Sequence, residues 1–388
     1  MRVTRRELLG ASGALAVSGS GMGRALAATA AAPIVSKIAL ADGRVWMAAM
    51  IEKHGPYLFV VDTGGTVSLI DDGLARSLKL KTDGRSRLRG VGGISEMPWY
   101  KAGDVLLGNG IRFPDMMFAG TRANLGKDAA GTFGAGLFTT YDSDLDFEKG
   151  EWRAYVDGRP DRDGLRAIKS RFSSSQTGGL RIFADATIGG FAGEFTVDTG
   201  APGEISLDSR ATAKSGFWSD DRPYVPMRSR GIGKGSIPSR LICLDRLKLG
   251  PFVFERPLLM LREPGNASGS SVDTDGLIGL RTLARLHLST DVRNRILWAA
   301  PNKLALPPNG YGLSGLWVEE DKGGLLVADV GTASPAAVAG LKPGDLILGE
   351  AFAPFISRLG GPAGTTLAFD YERNGKRARA EFRLSEYL

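Results

Sequence analysis

Two copies of the tripeptide Asp-Thr-Gly are the residues of this chain whose chemistry is most readily interpreted. The first is Asp62-Thr63-Gly64, and the second, Asp198-Thr199-Gly200, follows 136 residues later. Each copy comes directly after a short apolar run, at residues 59–61 and 195–197. Such runs are typical of β-strands, and Asp-Thr-Gly is typical of a tight turn. The two copies therefore predict a duplicated unit that brings two carboxylates together about a pseudo-two-fold axis.

A pair of carboxyl groups in contact has a definite chemistry. Both groups cannot be ionised at once, so one keeps a proton while the other stays charged. The charged group can take a proton from a water that attacks an amide carbonyl, and the protonated group can donate to the carbonyl oxygen. The glycines Gly64 and Gly200 allow the sharp turn and the close approach. The hydroxyls of Thr63 and Thr199 are expected to hydrogen-bond across the axis.

With both tripeptides behind apolar strands, the chain resembles the aspartic proteases, in particular the retropepsin-like and pepsin-like group. The resemblance implies a mostly β fold of duplicated lobes with a central cleft. It implies that Asp62 and Asp198 are the catalytic residues, and it implies no metal and no other cofactor. Two positions depart from the family pattern. Gly65 stands where the family usually has Ala, Ser or Thr, and Pro202 after the second loop is unusual.

The elements around the two tripeptides recur in the same order, which predicts one lobe over residues 34–158 and a second over 180–300. In the family, a glycine-rich hairpin closes over the substrate as a flap. The flap candidates here are Gly90, Gly92 and Gly93 in the first lobe and Gly231 and Gly233 in the second. Residues 131–138 and 275–280 match the elements that support the catalytic loops. The polar segments 159–179 and 301–310 are interpreted as linkers.

Residues 311–388 resemble a bacterial PDZ domain, a small α+β fold. The resemblance rests on residues 330–347, where Ser334-Pro335 predicts a helix start and Gly340 a helix stop. It implies a peptide groove at Gly312, Leu313, Gly315 and Leu316 that binds protein C-termini by their carboxylate and backbone. Ser314 replaces the second glycine of the usual loop pattern.

Composition excludes several classes of site. The single cysteine, Cys243, excludes an intrachain disulfide and a Cys-cluster metal site, and the two histidines, His54 and His287, exclude a His-rich one. The formal net charge is +7 over 388 residues, and it would be +4 without residues 1–27. This excess is too mild and too dispersed to indicate a nucleic-acid partner.

The N-terminus has the order of features typical of an export signal. Arg5-Arg6 resembles a twin-arginine motif, an apolar run of about ten residues follows, and Ala25-Leu26-Ala27 offers a small-residue cleavage site. The run is too short to span a bilayer, so no stable membrane insertion is expected. Residues 1–27 are therefore predicted to direct the protein to the periplasm or the outside of a bacterial cell.

The sequence as a whole predicts an exported aspartic endopeptidase that acts on peptides or unfolded proteins and carries a C-terminal PDZ domain. The alternative is a catalytically inactive peptide-binding or envelope adaptor protein that uses the same cleft and the PDZ groove. Retention of both aspartates favours the enzyme, because paired buried carboxylates are costly to keep without use.

Overall fold

The computed structural model describes residues 4–10, 32–90, 93–108, 110–174, 179–230, 235–266, 274–307 and 310–388. Within these ranges the chain forms 30 strands and seven short helices. The strands are arranged in three sheets of 15, 10 and five members. The prediction of a mostly β fold is confirmed. None of the helices in the described ranges has both the length and the apolar character needed to cross a membrane.

The first part of the chain carries three short helices and twelve strands. They are α1 (Arg5–Gly10), β1 (Ile34–Ala41), β2 (Arg44–Ile51), β3 (His54–Val61), β4 (Ser68–Asp71), α2 (Asp72–Ser77), β5 (Lys81–Gly90), β6 (Gly93–Ala102), β7 (Val105–Leu107), β8 (Ile111–Phe113), β9 (Met116–Thr121), β10 (Gly131–Phe133), α3 (Gly136–Thr139), β11 (Asp142–Asp146) and β12 (Glu151–Tyr155).

The middle part begins with an additional strand, β13, and from β14 onward follows the order that the first part has from β1. It consists of β13 (Arg166–Ile168), β14 (Ser170–Ser173), β15 (Arg181–Ile188), β16 (Phe191–Asp198), β17 (Ile205–Leu207), α4 (Ser209–Ser215), β18 (Val225–Ser229), β19 (Ile237–Cys243), β20 (Arg246–Leu249), β21 (Phe252–Glu255), β22 (Leu258–Arg262), β23 (Gly276–Gly279), α5 (Leu280–Leu283), β24 (Leu286–Asp291) and β25 (Ile296–Pro301).

Strand pairing shows that these two parts are structural repeats. In the first, β3 pairs in parallel with β10, which pairs antiparallel with β4, and β4 continues in parallel to β9. In the second, β16, β23, β17 and β22 pair in the same order and with the same directions. The hairpin β5–β6 joins onto β9 as the hairpin β18–β19 joins onto β22. We call β3–β12 the first repeat and β16–β25 the second repeat.

The two repeats share one core and one sheet. Strand β11 of the first repeat pairs antiparallel with β24 of the second, with Leu145 opposite Leu288. The shared core includes the stacked rings of Phe59 and Phe133, whose centroids are 4.4 Å apart, and it continues into the second repeat at Phe195. Since apolar burial is the main stabilising term in folding, the repeats support each other rather than folding as separate bodies.

A buried charged cluster lies where β11 meets β24. The His287 imidazole on β24 lies 3.4 Å from an Oδ2 of Asp144 and 3.5 Å from an Oδ2 of Asp146, both on β11. Burial disfavours its charge, but the two carboxylates outweigh burial and raise the pKa of His287 to about 9. Arg159 contacts Asp144 at 3.1 Å, and Arg153 contacts Asp146 at 3.1 Å. The cluster therefore joins the two repeats by charge as well as by strand pairing.

The segment 159–179, predicted to be a linker, contains two short strands that pair into the sheets. Strand β13 pairs with β25, and β14 pairs with β15. Two apolar residues explain the difference, because Ile168 and Phe172 are both 1% exposed and anchor the otherwise polar segment in the core. In the second predicted linker, 302–307 have no regular secondary structure, and residues 308 and 309 lie outside the described ranges.

The C-terminal module is a separate five-stranded sheet with two helices. Its elements are β26 (Leu316–Asp321), β27 (Gly324–Val330), α6 (Pro335–Val338), β28 (Leu346–Ile347), α7 (Phe352–Leu359), β29 (Thr366–Arg373) and β30 (Lys376–Arg383). It has its own core around Val327, Ile347 and Phe355. Helix α6 begins as the sequence predicts, with the Ser334 hydroxyl accepting from the Ala337 amide at 3.2 Å. Strand β26 is an edge strand of this sheet.

Candidate active site

The two Asp-Thr-Gly turns meet at the ends of β3 and β16. Two glycines make this approach possible. A Cβ added at Gly64 would collide with the carboxyl group of Asp198, and one added at Gly200 would collide with that of Asp62. Each turn therefore needs glycine because the partner turn lies directly against it. The structure brings the two sequence-predicted carboxylates together.

The threonines lock the turns to each other by four reciprocal hydrogen bonds. The Thr63 hydroxyl donates to the Val197 carbonyl at 2.8 Å and accepts from the Thr199 amide at 3.0 Å. In the mirror arrangement, the Thr199 hydroxyl donates to the Val61 carbonyl at 2.7 Å and accepts from the Thr63 amide at 3.1 Å. Both threonines are buried. Hydrogen bonds that satisfy every buried donor and acceptor in this way fix the turns in one relative position.

Each catalytic candidate is also oriented by its own turn. The Oδ1 of Asp62 accepts from the amides of Gly64 and Gly65 at 3.2 and 2.9 Å. The Oδ1 of Asp198 accepts from the amides of Gly200 and Ala201 at 2.8 and 3.1 Å. One oxygen of each carboxyl group is thus held by backbone amides, and the other is left to interact with the partner carboxyl group or with a ligand.

The protonation state of the pair follows from its surroundings. Burial of the carboxyl group raises the pKa of Asp62, although the amides of its turn partly oppose this rise. Burial also raises the pKa of Asp198, and the nearby negative charge of Asp62 raises it further. Two such groups titrate as a pair, and removal of the second proton is disfavoured. The pair therefore has one shared proton available over a broad range of pH.

Backbone contacts from the supporting strands hold both turns from behind. In the first repeat, the Asp62 amide donates to the Phe133 carbonyl, and the Ala135 amide donates to the Gly65 carbonyl, both at 2.8 Å. In the second repeat, the Leu280 amide donates to the Ala201 carbonyl, also at 2.8 Å. Residues 131–138 and 275–280 thus support the two turns, as the sequence predicts.

Glu204 has a supporting role that the sequence did not indicate. It lies just after the second turn and is buried. One of its carboxylate oxygens accepts from the Leu258 amide at 2.6 Å, and the other forms an ion pair with Arg285 at 2.7 Å. Arg285 is 81 residues away in the chain. Nothing in the sequence near Glu204 indicates an ion pair with a residue so distant in the chain, so only the tertiary structure could reveal it.

The two departures from the family pattern have different environments. A Cβ added at Gly65 would lie 3.0 Å from an Oδ2 of Asp62, so there is little room for a larger residue unless that carboxyl group shifts. Pro202 lies against the tip of the β1–β2 hairpin, and its Cβ would be 3.4 Å from a Cβ added at Gly43. Because Gly65 has no side-chain hydroxyl, the first turn supports the Asp62 carboxyl group with backbone amides only.

The flap candidates fall at hairpin ends in both repeats. Gly90 and Gly93 form the last pair of the β5–β6 hairpin, and no atom lies within 4 Å of a Cβ added at Gly93. Gly92 lies outside the described residues, as do Gly231 and Gly233, which fall between β18 and β19. The structure therefore shows the hairpins themselves, and the predicted closure over the cleft stays a prediction.

The predicted peptide groove lies at the start of β26. Gly315 has φ +73 and packs against Ser334, so a side chain there would clash. Leu316 is buried in the module core, and Leu313 is partly buried against it. The Leu316 amide already donates to the Ser314 hydroxyl at 3.1 Å. Ser314 thus uses one of the amides that could otherwise meet a carboxylate.

The module is packed against strand β18 of the second repeat. The Tyr224 hydroxyl lies 3.0 Å from both the Asp329 carboxylate and the Val330 carbonyl of the module. The Tyr387 hydroxyl of the module donates to the Tyr224 carbonyl at 3.1 Å. The Arg228 guanidinium lies 5.2 Å from the centre of the Trp317 ring. The module therefore contacts the same hairpin that carries the second flap candidates.

No group of three or more His, Cys, Asp or Glu side chains within the described ranges is placed to hold a metal ion.

Comparison with known proteins gives the following. No protein-family model matches the chain, and no curated protein matches it in sequence. Among solved structures, it is similar to an aspartic proteinase from Irpex lacteus, with a TM-score of 0.46 and 14% identity over 70% of this chain and 98% of that one. It is also similar to basic 7S globulin from soybean, with a TM-score of 0.41 and 11% identity over 69% of this chain and 95% of that one.

Proposed function

We propose that this protein is an aspartic endopeptidase that hydrolyses peptide bonds with a water activated between Asp62 and Asp198. One observation carries the proposal. The reciprocal hydrogen bonds of the buried Thr63 and Thr199 hold two partly buried carboxyl groups together in a pseudo-symmetric pair. Holding two carboxyl groups in contact costs folding stability. This cost favours a functional use of the proton that they share.

The proposed reaction uses the shared proton once and restores it. The ionised carboxylate takes a proton from water, and the water oxygen bonds to the carbonyl carbon of the substrate. The protonated carboxyl group gives its proton to the carbonyl oxygen, which yields a tetrahedral gem-diol. The C–N bond then breaks as the carboxyl that gained the water proton passes it to the nitrogen, while a diol hydroxyl returns a proton to the other carboxylate. The pair ends with the one proton it began with.

The proposed substrates are extended peptides or unfolded protein segments. Such a chain would lie in the cleft between the two repeats and form backbone hydrogen bonds with the β5–β6 and β18–β19 hairpins. The proposed PDZ module would bind further segments or protein C-termini at Gly312, Leu313, Gly315 and Leu316. We further propose that residues 1–27 direct export to the periplasm or beyond. The mild charge does not support a nucleic-acid partner, and the short apolar run within residues 1–27 does not support stable membrane insertion.

The direct test compares Asp62→Asn and Asp198→Asn with the wild-type chain on a denatured protein substrate, with products identified by mass spectrometry. Each variant should lose on the order of 10²–10⁴-fold in cleavage rate, because it removes one half of the acid–base pair. An exposed carboxylate outside the cleft and its hairpins gives the matched control: Asp157→Asn should cleave at the wild-type rate.

Two outcomes would reject the proposal. Retention of most activity in either dyad variant would show that the pair is not the catalyst. A wild-type chain that binds the denatured protein but never cleaves it at any pH would favour the alternative function, an inactive peptide-binding or envelope adaptor protein.

A further inference from the structure

The outer face of the sheet formed by β1, β2 and β3 is apolar. Ala39, Trp46, Leu58 and Val60 lie on this face, and all four are almost fully buried. The opposite face of the same strands faces the main core, with Met47 among its residues. An antiparallel sheet with one solvated face normally alternates apolar and polar residues. The four residues make the centre of the outer face apolar, with Arg44 beside it at 5.9 Å from the Trp46 ring centre, so burial of this apolar centre is favourable.

The chain's own N-terminal helix α1 covers that face. Leu8 is 3% exposed and packs with the four apolar residues of the face. Arg5 lies 4.1 Å from the centre of the Trp46 ring, pairs with Asp128 at 3.0 Å and also contacts Asp42. The two aspartates stand at the rim of the apolar face and complement the charge of the arginine. The face thus matches both an apolar and a cationic side chain of α1.

The local sequence explains why α1 presents these two side chains. Thr4 and Glu7 form a capping box, in which the Glu7 carboxylate accepts from the Thr4 amide at 2.6 Å. This cap starts the helix and places Arg5 and Leu8, three positions apart, on one side of it. Arg6 and Leu9 are exposed, Leu9 by 42%, and they lie at the border of the contact, beside a pocket that also includes Tyr57.

We propose that the outer face of β1–β3, with Asp42 and Asp128 at its rim, is a docking site for residues 4–9 of this chain. It binds an Arg-x-x-Leu segment and so holds the first arginine of the Arg5-Arg6 pair against the folded first repeat. The second arginine, Arg6, stays accessible. The biological role of this contact rests on the proposed export role of residues 1–27. In the folded precursor, Arg5 of the Arg5-Arg6 pair is covered, and the export machinery must displace α1 before it can bind both arginines.

The test uses trypsin on the purified full chain and measures the rate of cleavage of the Arg6–Glu7 bond by mass spectrometry. A docked helix is cut only when it opens, so the rate follows the open population. Leu8→Asp should raise the rate at least about tenfold, because burial of a leucine accounts for an equilibrium shift of that order. Leu9→Asp is the matched control: it is the same substitution at the adjacent exposed position and should leave the rate within about twofold of wild type.

A second variant tests the site from the side of the sheet. The double change Asp42→Asn and Asp128→Asn should also speed cleavage, by several-fold, and its near-ultraviolet circular dichroism should match that of the wild type. Equal rates in wild type, Leu8→Asp and the double variant would overturn the proposal, as would equal acceleration by Leu8→Asp and Leu9→Asp. The measurement needs neither export nor peptidase activity, so its failure is separate from failure of the proposed function.

Discussion

The charged cluster between the two repeats leads to a prediction about alkaline stability. The pKa of His287 is about 9 in the folded chain, against 6.5 as the ordinary value. A group whose folded pKa is raised contributes stability that is complete below the unfolded pKa and is lost as pH rises through the folded one. The protonated His287 should therefore stabilise the fold below about pH 6.5 and lose this effect by about pH 10.

The magnitude follows from the size of the shift. A rise from 6.5 to about 9 corresponds to roughly 3 kcal/mol of unfolding free energy near pH 6. The same relation leaves about 1.4 kcal/mol at pH 8 and almost nothing at pH 10. The partners stay charged through this range, because His287, Ser289 and Arg159 outweigh burial and hold the pKa of Asp144 at about 2. The pKa of Asp146 is also lowered, by His287 and the Lys149 amide against the effect of burial.

Urea unfolding at pH 6, 8 and 10 provides the assay. The free energy of unfolding of His287→Gln should lie about 3 kcal/mol below wild type at pH 6 and converge on it by pH 10. The exposed His54 supplies the control, and the free energy of unfolding of His54→Gln should equal that of the wild type at pH 6, 8 and 10. A gap that keeps its size from pH 6 to pH 10, or one that appears equally in His54→Gln, would refute the assignment of the charge to His287.

Two further predictions concern the catalytic turns and the module. Gly200→Ala should abolish cleavage, because the added Cβ collides with the carboxyl group of Asp62. Gly203→Ala in the same loop is the control and should be active, since no atom lies within 4 Å of a Cβ added there. The initial rate of cleavage of a fluorogenic peptide measures both effects. Tyr224→Phe loses a hydroxyl that contacts Asp329 and should destabilise the docked module by about 1 kcal/mol. If its cleavage of short and long substrates falls equally, the module acts as a brace on the hairpin, and a selective loss on long substrates shows delivery.

The sequence predicts the parts of the site that are local. Asp62 and Asp198, their threonines and their glycines each belong to a short pattern whose physical requirement is visible in the residues themselves. The order of supporting elements in the two repeats was predictable for the same reason. The start of α6 followed from Ser334 and Pro335 alone.

Contacts between distant segments could not be predicted from local patterns. His287 looks like an isolated histidine in the sequence, and its two carboxylate neighbours come from a strand about 140 residues earlier. Glu204 and Arg285, or Tyr224 and Asp329, are likewise brought together only by the completed fold. The strands within 159–179 were missed because two buried side chains, Ile168 and Phe172, outweigh the polar composition around them.

The reciprocal threonine bonds have a consequence for how the proposed enzyme comes into being. Each of the four threonine bonds joins one turn to the other repeat, so a chain with only one folded repeat lacks the contacts that hold the two carboxyl groups together. The proposed peptidase activity is then expected to be all-or-none. It requires the second repeat to pack against the first, and it is lost when the two repeats separate. If the proposed activity is correct, no partly active intermediate is expected during synthesis, since the step that completes the fold also assembles the carboxyl pair.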